Sequence, residues 1–129
     1  MSSGAAFRRS PQNATQHFAD GQTAGTEAIN IEAFSFGGVF ADASFDGTAI
    51  TWQVAYTRGR GAPADVESDA TNFTWYDAVD GAGNALPATT ISAGDYAPLP
   101  PELFGARYLR GTSGTMQSGA GFVTLVLKA

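Results

Sequence analysis

Polar and apolar positions alternate in short runs along most of the chain, with a period of two. In "TEAINIEAFSF", from Thr26, Ile29, Ile31 and Ala33 share one face and Glu32 takes the other. That pattern predicts a half-buried strand. "GGVFA" predicts a short strand after a pair of glycines, and Asp46-Gly47 predicts a turn. "TAITWQVAYTR" is the clearest strand: Ile50, Trp52, Val54 and Tyr56 lie on one face, and Thr51, Gln53 and Ala55 on the other. "FTWYDAV" predicts a further strand, with Trp75 and Tyr76 pointing to opposite faces. "LPATTISAGDYAPL" predicts one or two short strands about a turn at Gly94, and "PPELF" one helical turn opened by prolines. Near the C-terminus stand "ARYLR" and "FVTLVLK". The second is apolar on both faces and is expected inside the sheet system rather than at an edge. Between them, "GTSGTMQSGAG" reads as a glycine-rich connection, with Ser113 and Ser118 lacking an activating base.

Turn signals recur about every 8–12 residues and no long helical period competes, so the expected fold is all-β. It is an antiparallel β-sandwich or a jelly-roll-like arrangement of seven to eight short strands. Residues 1–25 break the pattern. They are polar, with Phe7 and Phe18 as the large apolar residues, and carry Arg8 and Arg9 against Asp20. The expected organisation is an extended arm over 1–25 and a sandwich over 26–129. Phe7, Arg8, Arg9 and Phe18 would be the arm's contacts with a neighbouring subunit.

Composition narrows the function classes. At 129 residues the chain has the length of one domain able to bury a core. It has no cysteine, which removes disulfides, thiolate metal sites and cysteine nucleophiles. A net charge of −5 argues against sequence-blind binding of nucleic acid. No apolar run approaches the ~20 residues of a membrane-spanning helix, and "MSSGAAFRRS" lacks the apolar core of a secretory signal. Synthesis and residence in a cytoplasm are the expectation.

Candidate chemistry is sparse. The single histidine, His17, reads as a solvated side chain, with no serine-histidine arrangement around it. Asp77, Asp80 and Asn84 in "DAVDGAGN" offer oxygen ligands for Ca²⁺, but the spacing departs from an EF-hand and fits a hairpin turn. The remaining acids fall mostly in turns. Arg58 and Arg60 end the clearest strand and suit a contact with a partner subunit, as do Trp75 and Tyr76. No catalytic, cofactor-binding or metal-binding residue is assigned.

The stretches "FDGTAITWQVAY", "WYDAVDGAGNAL" and "FGARYLRGTSGTMQSGAGFVTLVLK" resemble a type of small protein encoded among bacteriophage virion genes. The resemblance runs from about Phe45 to Lys128. It implies a non-enzymatic β-sandwich component of a phage or phage-like particle, such as a capsid decoration (cement) or head-spike subunit. The implied partners are the major capsid protein or other virion subunits and further copies of the chain, as a trimer. The alternative is a tail- or fibre-associated module that binds host glycan through exposed aromatic residues. In either reading the protein resides in the virion.

Overall fold

A computed structural model describes residues 12–56 and 67–129. Among them are ten strands in two antiparallel sheets packed as a β-sandwich. The strands are β1 (Gln12–Phe18), β2 (Glu27–Asn30), β3 (Phe36–Ala41), β4 (Ala49–Ala55) and β5 (Glu67–Asp69). They continue as β6 (Tyr76–Asp77), β7 (Thr89–Thr90), β8 (Tyr96–Pro98), β9 (Tyr108–Ser113) and β10 (Gly121–Lys128). Sheet A has the order β1-β10-β3-β8. Sheet B has the order β5-β2-β9-β4-β6, with β7 also on the outer edge of β4. The chain crosses between the sheets at each of the first three connections, so each early strand waits for a distant partner.

The expected strands account for most of the core. Ile29 and Ile31 from the β2 segment, Ile50 and Trp52 on β4, and Val123, Leu125 and Leu127 on β10 are all buried in one cluster between the sheets. β10 lies in the middle of sheet A, with β1 on one side and β3 on the other. Its apolar outward positions are thus half-covered by neighbours, as its two-faced pattern predicts. Trp52 is 2% exposed and its indole Nε1 donates to Thr89 Oγ1 at 2.8 Å, which satisfies the polar atom of a core aromatic. The "PPELF" segment does form one helical turn, a 3-10 turn at Pro101–Gly105 that buries Leu103.

The expectation of a polar arm over 1–25 is corrected from Gln12 onward. Residues 12–18 form β1 and pair with β10 along its whole length, from Gln12 opposite Leu127 to Phe18 opposite Gly121. Ala14, Gln16 and Phe18 point inward and are buried. Gln16 hides the strand from a hydrophobicity reading because it occupies an apolar position without being apolar. Its Nε2 donates to the Glu27 carbonyl and carboxylate at 3.0 Å each, and its Oε1 accepts from Gly111 N–H at 2.8 Å. A strand of sheet A is thereby tied to two strands of sheet B. Gly25 allows this: a Cβ there would lie on the Gln16 amide.

"FTWYDAV" keeps only Tyr76–Asp77 as strand. The reason is that residues 70–75 fold over the outside of sheet B. There Phe73 and Trp75 pack on a second small cluster of Ala28, Ala55 and Tyr108.

Candidate functional site

The two faces of sheet A differ from those of an ordinary half-solvated sheet. On β3 the inward residues are Val39 and Ala41, while Phe36, Gly38 and Phe40 alternate outward. Phe36 is 52% and Phe40 46% exposed. Their neighbours on the same outer face are Val126 and Lys128 of β10 and Tyr96 of β8, which is 58% exposed. The Phe40 and Tyr96 rings are paired with centroids 4.7 Å apart. The Tyr96 ring also lies across Gly38, where a Cβ would come within 2.6 Å of it. Between the rings, Gly37 and Gly38 floor a cleft of about 270 Å³ whose wall is chiefly apolar. Exposed aromatics gathered on one sheet face make it a candidate contact surface. This face was not singled out from the sequence. The signal was there in "FGGVFA", whose period of two places apolar side chains on both faces of the strand.

The residues expected to meet a partner are scattered. Phe18 is buried between the sheets with its ring 5.5 Å from Phe45, so it anchors the fold and not a neighbour. Phe7, Arg8, Arg9, Arg58 and Arg60 lie outside the described residues. Trp75 is half-buried: its Nε1 donates to the Ala70 carbonyl at 3.0 Å and the Arg110 guanidinium sits 4.8 Å above its ring. Partial burial holds the Arg110 pKa below its ordinary value, and the π face of Trp75 offsets part of the lost hydration. Arg110 Nε also donates to Gln53 Oε1, and Gln53 Nε2 to Asp77 Oδ1. Tyr76 is exposed, 6.2 Å ring to ring from Tyr56, which the end of β4 leaves exposed rather than in the core. Beside Tyr76 runs an open groove lined by Asp77, Val79 and Glu102.

The candidate oxygen-ligand loop is a turn. Asp80 Oδ1 accepts from the N–H groups of Ala82 and Asn84, and Gly83 takes φ +84. Asp77 points to Gln53 instead of into that loop. His17 is not a free side chain. Its Nδ1 lies 2.5 Å from Glu27 Oε2, and its backbone N–H donates to Glu27 Oε1. Nor is Ser118 without a nearby acid. Ser118 Oγ and N–H both donate to Asp46 Oδ2. Ser113 is buried, donating to the Thr115 carbonyl and accepting from Gln117 Nε2. Gln117 in turn bonds the backbone of Asp46 through both ends of its amide. These bonds fasten the 114–120 connection to the 42–48 turn, and they leave Asp46 engaged with backbone and hydroxyl donors.

No protein-family model, curated protein or solved structure matches the chain.

Proposed function

We propose that this chain is a non-enzymatic structural subunit of a phage or phage-like particle, a capsid decoration or head-spike protein that binds across shell subunits. The observation that carries the reading is the aromatic outer face of sheet A. An isolated domain keeps such rings in water at a cost of about 25 cal/mol per Å² of apolar surface, which burial in an assembly recovers. The resemblance of residues 45–128 to small virion proteins points the same way. In this role the work is geometric: a rigid sandwich lies over a junction in the shell, and many modest contacts repeated by symmetry raise the barrier to rupture. The test is to assemble shells of the particle's own major capsid protein with and without this chain. Decorated shells are expected to withstand heating that ruptures bare ones, and equal resistance would end the proposal.

A second reading rests on the other exposed aromatics. Tyr56 and Tyr76 stand beside a groove carrying Asp77 and Glu102, a combination of stacking faces and hydrogen-bond acceptors that suits a host glycan at a tail or fibre. Binding on a glycan array that disappears with Tyr76→Ala would favour this role over decoration.

A further inference from the structure

The aromatic face of sheet A is polarised in charge along its strands. Lys128 is paired with Phe36 at one end. At the other end Asp42 follows β3, with its N–H on the Phe122 carbonyl, and Asp95 precedes Tyr96. Lys128 and Asp95 form no ion pair among the described residues. Midway lies the row of Val126, Gly38 and Pro98, with Phe36 and Phe40 two residues to either side. Four residues of strand separate those rings by about 13 Å. The two phenylalanines are therefore evenly placed about the Gly38 row, with Tyr96 added on the Phe40 side, and the two ends carry opposite charge.

That combination is what a self-complementary contact needs. We infer that this face joins two copies of the chain, packed face to face about a two-fold axis that crosses the strands at the Gly38 row; the inference rests on reading the face as an assembly interface. The axis reverses strand direction between copies. Each Phe36 then lies against the other copy's Phe40, flanking the glycine cleft, and each Lys128 is turned toward the other copy's Asp42 and Asp95 end. Every contact occurs twice. An axis along the strands would instead set Lys128 near Lys128 and acid near acid, which is disfavoured. The result is a two-fold pair in place of the trimer that the resemblance implies.

The experiment is sedimentation equilibrium of the isolated chain over a wide range of concentration. A limiting mass of twice the 13.3 kDa chain is expected. Phe36→Ser with Phe40→Ser is expected to give a monomer of unchanged circular dichroism. If the double change disturbs the fold, Phe36→Ser alone, at the first residue of β3, is expected to weaken the pair. Lys128→Glu is expected to weaken it by about tenfold, or 1.4 kcal/mol, and adding Asp42→Lys, at the end of β3 next to β10, to restore it. A monomer at every concentration, a trimer, a dimer indifferent to the phenylalanines, or no rescue by the charge exchange would overturn the inference. Shell binding separates it from the wider proposal. A monomer whose shell binding needs Phe40 would mean that the capsid covers this face and the dimer is wrong. A Phe40-dependent dimer absent from purified particles would uphold the pair and sink the virion role.

Discussion

Replacing Gln16 by leucine isolates the bond that links the two sheets. Leucine nearly matches glutamine in volume, so the change opens little cavity and mainly removes polar partners. Gln16 is fully buried. Its loss strips the 2.8 Å acceptor from Gly111 N–H and the 3.0 Å donor from the Glu27 carbonyl and carboxylate. Each buried backbone group left unpaired costs ~1–3 kcal/mol. Two such groups, less ~1 kcal/mol recovered by the added apolar surface, give a net loss of ~1–5 kcal/mol. That is a large share of the ~5–15 kcal/mol that holds a domain of this kind together. Urea unfolding followed by tryptophan fluorescence measures it. With a slope of ~2 kcal/mol per molar, the midpoint is expected to fall by about 0.5–2.5 M with the slope unchanged. Gln16→Glu keeps the acceptor for Gly111 but sets a second carboxylate against Glu27, and is expected to cost more at neutral pH. Gln12→Leu, exposed at the start of the same strand, is expected to stay within ~0.5 kcal/mol of the parent. A Gln16→Leu protein as stable as the parent would show that the amide contributes nothing net and that β1 is held by its pairing with β10 alone.

Acid should weaken the fold through two turn carboxylates. Asp42 is held below its ordinary pKa by the Ser44 hydroxyl and N–H, and Asp69 by the Thr71 N–H and hydroxyl. A depressed folded-state value means stability that is fully present above the unfolded value of about 3.8 and is lost as pH falls through the folded one. The urea midpoint is therefore expected to be flat on this account from neutral pH to about 5 and to decline below 4, and the Asp42→Asn, Asp69→Asn double variant is expected to show a shallower decline. Gly37→Ala would drive its Cβ into the Val126 carbonyl of the neighbouring strand and should cost ~1–3 kcal/mol. Gly81→Ala meets open space and should leave the thermal midpoint unchanged.

The strands that bury apolar side chains by simple alternation, β4 and β10, are legible in the sequence, and so is the sandwich they imply. β1 is not, because its core position is filled by Gln16, whose burial is tolerable only with Glu27 and Gly111 brought from β2 and β9. Those partners lie 11 and 95 residues away, beyond any local window. The "FTWYDAV" segment misleads for the opposite reason. Its apolar content serves a cover over Ala28, Ala55 and Tyr108, and not a paired strand. Tyr56 sits one residue past the end of β4, where alternation no longer decides exposure. The aromatic face of sheet A could have been found by counting both faces of "FGGVFA", since a strand with phenylalanines opposite its core side has no reason of its own to expose them.

The pairing of β1 with β10 has a consequence for the order of events during synthesis. The first described strand has no neighbour in its own sheet until Gly121–Lys128 has been made, because β10 separates it from β3. Sheet B can assemble its β2-β9-β4 centre earlier, leaving Phe18 and Val39 in water until the last strand arrives. Such a late, long-range closure makes for slow folding and a nascent chain that needs protection from aggregation. It also means that a truncation within residues 121–128 removes the middle of a sheet rather than its margin. Joining Lys128 to Gln12 through a short linker and opening the chain at the exposed Gly81 turn would place both strands on one continuous hairpin, and that rearranged protein should fold faster than the natural order allows.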